Sequence, residues 1–413
     1  MALFPRTFVL LWHGQLVSQL GNQAFLIATT FYVLEVTRSA SLVAAAMIAA
    51  TIPLVVVGPI GGTVADRHSR RSILIAADWL RAIATGWLGI VLLSEPGGTL
   101  QHVVLIIAVA AVNGLMSALF APAFQALVPE LVPNDRLAMA NSVNQISTQT
   151  STLMGQALGG VLYIAWGPAA LLLVDAVSFA YAGVVTWFLP RDPSRQRTTG
   201  SLRGAFQRYA ADTAAGMAYV WHSPGMTPVL GVFAGVNFLF MPVFVLMPFY
   251  VTEVLGVGPE WYGFLLSGSG VGALAGSVAA GVLLRTLGVH AAAVRVCLGG
   301  IASAVVLLGL VDSSWFALGA FAAIGALSAI INITVMTAFQ SGVPAEVRGR
   351  VMALLIALST AAVPIGMGLG GVMGDHWRSS LQLVLVGCGS AIGLLAGVSC
   401  TVRNFDHVFR ARH

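Results

Sequence analysis

Residues 155–161 read Gly155-Gln156-Ala157-Leu158-Gly159-Gly160-Val161, and residues 366–372 read Gly366-Met367-Gly368-Leu369-Gly370-Gly371-Val372. The two stretches coincide, without gaps, at an offset of 211 residues. Moving outward, the same offset sets Val132-Pro133 on Val343-Pro344, Asp135 on Glu346, Gly114 on Gly325 and Ser117 on Ser328. Chance likeness between Gly- and Ala-rich segments would not keep a proline, an acid and a Gly-Gly pair in one register. The chain is therefore read as two copies of one unit.

Composition says what the unit is made of. Hydrophobic residues are 58% of the 413 and charged residues 8%, against about 25% charged in a soluble domain. So apolar a surface is incompatible with water. A helix needs about 20 apolar residues to cross the hydrocarbon. Twelve candidates meet that length, at 7–34, 40–61, 72–94, 101–125, 138–165, 168–189, 226–252, 260–284, 291–311, 314–338, 350–373 and 380–402. The expected fold is an all-α membrane protein of twelve transmembrane helices in two six-helix halves. Residues 1–189 form the first half, 190–225 a linker, and 226–413 the second half with a short tail. Parallel-repeat transporters of this build bind substrate between their halves near the midplane.

All 20 basic residues are Arg. Codon composition accounts for that, and a preference for planar guanidinium contacts is the alternative. Their placement carries more information than their sum. With the N-terminus inside, 17 Arg fall on the inner side, only Arg38 and Arg378 lie outside, and Arg81 sits within a span. This bias sets both termini in the cytoplasm. The net charge of +5 is thus topological and implies no nucleic-acid partner. In the linker, Leu202, Phe206, Tyr209, Thr213, Met217, Val220 and Trp221 recur at helical spacing, as in an amphipathic helix lying on the inner membrane face. The three Cys have neither disulfide nor metal spacing. The first apolar stretch is too long for a cleavable signal and reads as a span.

The loop Gly61-Gly62-Thr63-Val64-Ala65-Asp66-Arg67-His68-Ser69-Arg70-Arg71 resembles the cytoplasmic signature of the major facilitator superfamily. Ser69 stands where that signature usually has Gly. A closer resemblance is to its drug- and siderophore-exporting branch, which includes macrolide efflux proteins and the enterobactin exporter. It rests on the run from Pro129 to Asn141, on Asp175-Ala176-Val177-Ser178-Phe179, on the run from Pro344 to Val351, and on Ser18-x-x-Gly21. Two departures stand out: Asn22 replaces an acid common after the first-helix Gly, and Gln156 replaces the Pro of the antiporter pattern. The resemblance implies a monomeric secondary transporter in a bacterial cytoplasmic membrane. It implies export of amphiphilic small molecules by alternating access, powered by a proton gradient with no cofactor. An importer or lipid transporter of the same superfamily is the alternative. An enzyme is not expected, since no metal cluster, no nucleophile with a base and no phosphate-binding loop occurs.

The resemblance further implies an inner gate, made by Gly62, Asp66, Arg67, Arg70 and Arg71 with Arg348 and Arg350. Asp78 and Arg81, spaced i, i+3, share a helix face and read as an intramembrane ion pair, because charges within a span normally pair. Asp175 lies in an apolar span that has no Arg. A carboxyl there can alternate between protonated and charged forms, as a proton antiporter requires, or it can serve helix packing. Glu35 is the second proton candidate; His13 reads as packing. Gln15, Ser18, Gln19, Asn22, Asn113, Gln145, Gln149, Asn237 and Asn332, with Phe25, Phe238 and Phe240, are the candidate lining of a substrate cavity.

Overall fold

The structure is a computed structural model that describes residues 4–95, 97–190, 202–223, 225–286, 291–401 and 405–409. Its elements are helices. In chain order they are α1 (Arg6–Thr37), α2 (Ala40–Arg67), α3 (Arg70–Ser94), α4 (Leu100–Leu131), α5 (Leu137–Trp187), α6 (Leu202–His222), α7 (Met226–Phe249), α8 (Pro259–Thr286), α9 (Ala291–Leu308), α10 (Ser314–Gly342), α11 (Ala345–His376) and α12 (Leu381–Thr401).

Ten described helices are long and apolar enough to span a bilayer. The twelve expected spans are accounted for by two local features. The 51 residues of α5 bend at Gly167, where φ is 75° and ψ is 172°. Only glycine takes that conformation without strain. Pro168, which follows, has no N–H to carry the helical ladder across. Each arm of α5 is then one span. The other case is α1, 32 residues long, which spans by length but carries Gln15, Ser18, Gln19, Asn22 and Gln23 along its middle. Those amides lower its apolarity for a reason that appears at the site. Large apolar side chains such as Val56, Ile83, Ile90, Val278, Val296 and Leu394 are exposed along the spans, as a lipid-facing surface requires. Exposed Trp166, Trp187, Trp315 and Trp377 sit near helix ends, where indole favours the interface.

The chain separates into two compact units, one of residues 1–38 and 45–207, the other of 39–44 and 208–413. In the first, α1 packs on α5, and α3 on α4 and α5. In the second, α7 packs on α11, α8 on α10, and α9 on α10 and α12. Repeated glycines make equivalent contacts in each. A Cβ added at Gly155 would fall 2.7 Å from Gln23 of α1, and one at Gly366 would fall 2.5 Å from the Phe238 carbonyl oxygen of α7. Gly114 of α4 likewise meets the Ala50 backbone of α2, and Gly325 of α10 the Ser269 backbone of α8. With lipid as solvent, such close backbone approach is the main source of helix association. The sequence offset is thus a repeat of packing.

Ser69 caps α3, its Oγ accepting from Ser72 N at 3.3 Å. The Gly-to-Ser departure in the loop is therefore a helix N-cap. Asp375, at the end of α11, does the same for α2. Its Oδ1 accepts from Ala40 N at 2.6 Å, and its Oδ2 from Ser39 Oγ at 2.9 Å and Ser41 N at 3.2 Å. An Asp375→Ala protein should lose about 1–2 kcal/mol, seen as a lowered Tm in detergent. An unchanged Tm would show that the first turn of α2 finds other acceptors.

Candidate functional site

The residues implied as an inner gate lie at the α2–α3 turn and the start of α11. Arg70 Nη1 donates to Glu130 Oε1 at 2.6 Å and to the Ala126 carbonyl of α4. Arg71 donates to the carbonyls of Thr186 and Trp187 at the end of α5 and lies 5.8 Å over the Trp187 ring. Cations at helix C-termini meet the negative end of the helix dipole and its orphan carbonyls. These two Arg therefore bind the α3 start to the ends of α4 and α5. Arg70's partner Glu130 belongs to the other stretch that resembles the exporter branch. Gly62 and Arg67 are half-buried at the end of α2. Arg348 turns back to the Val343 carbonyl at 3.2 Å. A Cβ on Gly216 of α6 would fall 2.8 Å from the Arg350 carbonyl oxygen, so the linker helix docks on the start of α11. The side chain of Asp66 lies outside the described residues.

A cavity of about 770 Å³ opens within the first unit. Gln15, Ser18, Gln19 and Asn22 from α1 line it, as does Gln145 of α5. The amides that make α1 polar therefore face this space. Its wall also includes Asn141, Asn144 and Thr148, one helical turn apart on α5, and Gln125 of α4. Phe120, Phe124 and Phe179 provide an apolar side. Trp12 Nε1 donates to Ser147 Oγ at 2.6 Å and Ser151 Oγ to the Leu16 carbonyl at 3.4 Å, holding α1 against the first arm of α5. A neighbouring space of about 210 Å³ is lined by Asn22, Phe25 and Asn113. Asn237, Phe240 and Asn332 belong instead to a small pocket of about 100 Å³ in the second unit. Phe405 of the tail also lines that pocket, with Asp406 held 2.7 Å from Arg295. Gln149 and Phe238 line none of these three.

Asp78 and Arg81 do not form the expected direct pair. Neither Asp78 carboxylate oxygen is hydrogen-bonded to a described group. Arg81 Nη2 donates to Ser117 Oγ at 2.8 Å instead, and its guanidinium lies 5.2 Å from the Phe120 ring and 5.3 Å from the Phe179 ring. Both aromatic contacts and Ser117 draw the side chain toward α4 and α5, so it bridges three helices. The i, i+3 spacing puts Asp78 beside it but does not close the contact. Arg81 acts electrostatically on Asp78 and on Asp175.

Asp175 is 0% exposed. It fits because α1 has a glycine opposite: a Cβ on Gly21 would fall 2.7 Å from Asp175 Oδ1 and 2.2 Å from Ser178 Oγ. Ser178 Oγ donates to the Asp175 carbonyl at 2.7 Å and lies 3.5 Å from Oδ1, while Oδ2 makes no hydrogen bond to a described group. Glu35, by contrast, is exposed at the end of α1, acting on the buried Tyr163. His13 faces Tyr181 OH at 3.0 Å, beside an apolar groove of about 600 Å³ between α1 and α5.

Twelve spans, a repeated unit and a polar cavity inside an apolar bundle describe a solute carrier. A family model described as "Transmembrane secretion effector" matches residues 2–412. The chain belongs to this family of major facilitator transporters. Among curated members, it is similar to macrolide efflux protein A of Streptococcus pyogenes, with 28% identity over 385 residues, 90% of this chain and 91% of that one. It is also similar to the multidrug efflux pump Tap of Mycolicibacterium fortuitum, 24% identical over 381 residues and covering 89% of each. Among solved structures, the nucleoside transporter NupG superposes with a TM-score of 0.76 at 12% identity, covering 96% of this chain and 100% of that one. The family's members are transporters, and this chain is a multi-pass membrane transporter rather than an enzyme.

Proposed function

We propose that the chain exports amphiphilic small molecules in exchange for protons, by alternating access across a bacterial cytoplasmic membrane, as a monomer with both termini inside. The observation that carries this reading is a sealed carboxyl, Asp175, behind a roomy cavity with an amide side and a phenylalanine side. Burial of apolar area on the aromatic side supplies affinity, and the amides orient polar groups. The carboxyl supplies a site that holds a proton in one half of the cycle. The efflux proteins among the relatives support the outward direction, and the Arg bias supports the topology.

The test is retention of dyes, macrolides and siderophore-like compounds in cells expressing the protein, against vector-only cells, with and without a protonophore. Expression should lower retention, and the protonophore should restore it. Higher retention on expression would replace export by uptake. The apolar groove beside His13 favours one further reading, lipid movement, for which a fluorescent lysophospholipid belongs in the same panel.

A further inference from the structure

The carboxylates and the cavity are separate, and that separation raises a question of communication. Among the described residues, Arg81 is the one charged side chain in the lining of the 770 Å³ cavity, and no described carboxylate lines it. Asp78 and Asp175 are both 0% exposed and lie behind it. A substrate in this cavity therefore meets the guanidinium and neither acid.

Resting on the proton-exchange reading above, we propose that Arg81 is the positioning residue that transmits occupancy of this cavity to Asp78 and Asp175. Arg81 is 7% exposed, its guanidinium clamped between Phe120 and Phe179. Its Nη2 is held by Ser117, itself a lining residue, and its Nε is not hydrogen-bonded to any described group. The charged groups acting on it are Asp78, one turn earlier on α3, and Asp175, one turn before Phe179 on α5. Facing them, α4 presents Ser117 and α1 presents Gly21.

A buried cation needs either water or an anion beside it. While the cavity holds water, the open side of Arg81 is solvated and the acids can keep a proton. An amphiphile that fills the cavity removes that water and lowers the local dielectric, which strengthens the pull of the guanidinium on a carboxylate. As that water is displaced, an acid O–H bond breaks, the proton leaves on the departing water as hydronium, and the carboxylate stays beside Arg81. When substrate leaves and the cavity refills, the proton returns. Substrate and proton thus exclude one another without touching, which is the sign antiport requires. The substrate needs no charge of its own, so uncharged amphiphiles are carried.

The experiment uses the full-length protein in detergent, in weak buffer with a pH indicator dye, and Nile red as the uncharged probe. Binding is read from Nile red fluorescence and proton release from the indicator. The wild type should release up to about one proton per bound probe, and Arg81→Gln should bind the probe with release reduced roughly tenfold. Ser117→Ala, which removes the cavity-side anchor but keeps the charge, should reduce release per bound probe about twofold. It decides the matter if the Arg81→Gln protein does not fold. Release equal to wild type in both variants, or in Ser117→Ala alone when Arg81→Gln is lost, overturns the role of Arg81 and leaves proton exchange standing. Probe binding without release in the wild type overturns proton exchange itself, and this proposal with it.

Discussion

An Asp175→Asn protein should fold, bind substrate and let it down its gradient, yet fail to expel it against one. Asn has the shape of Asp, and the pocket that encloses residue 175 is set by Gly21 and Ser178, so the packing of α1 on the second arm of α5 survives. The amide cannot take up a proton. One proton moved through about 100 mV contributes about 2.3 kcal/mol, enough to sustain a concentration ratio of roughly 50-fold. That ratio is what the variant should lose. Substrate gradients in proteoliposomes with an imposed proton gradient measure it directly. An Asp175→Asn protein that still builds the gradient would remove this residue from the coupling scheme and leave Asp78 as the carboxyl to examine. The companion Glu35→Gln should pump normally, because Glu35 is exposed at a helix end.

The second large effect is structural. A Cβ on Gly325 would lie 1.8 Å from the Ser269 carbonyl oxygen of α8, inside any allowed contact. The obstacle is backbone on a neighbouring helix, so no rotamer change relieves it, and α8 and α10 must part. Overpacking of this kind costs about 3 kcal/mol or more, and here it removes the close contact that drives helix association in lipid. Gly325→Ala should therefore sharply reduce the yield of monodisperse protein and lower its Tm. Gly319→Ala is the control on the same helix, with nothing within 4 Å of its added Cβ. It should be neutral or slightly stabilising, because alanine is the better helix former. Equal damage from both would mean that α10 tolerates no change for reasons other than its contact with α8.

Much of this was legible in the chain. Apolar length found the spans, and the fixed offset between Gly155 and Gly366 found the repeat, because lipid allows few ways to pack helices and glycine marks the closest of them. The amides of α1 were recognisable as lining, since polar groups in a span have to face something polar. Arg81 was harder. Its i, i+3 relation to Asp78 is a strong local signal, while the contacts that decide its position, with Ser117, Phe120 and Phe179, come from two other helices. Asn141, Asn144 and Thr148 form a polar stripe with Gln145 that does not stand out in the sequence, because the span around them is already broken by Ser and Thr. That Asn237 and Asn332 share a small pocket within the second unit is not readable in the sequence. Which helix face meets which neighbour is set by packing within each unit.

The cap on α2 also bears on how the protein is made. Ser41 and Asp375 are 334 residues apart. A ribosome adds about 5–20 residues per second, so the second helix to emerge waits roughly 20 to 70 s for the carboxylate that satisfies its first turn. During that interval its leading amides are open to water, to lipid headgroups or to an insertase. The chain is thus completed in a different order from that in which it is written, with one of its earliest turns finished by one of its last helices.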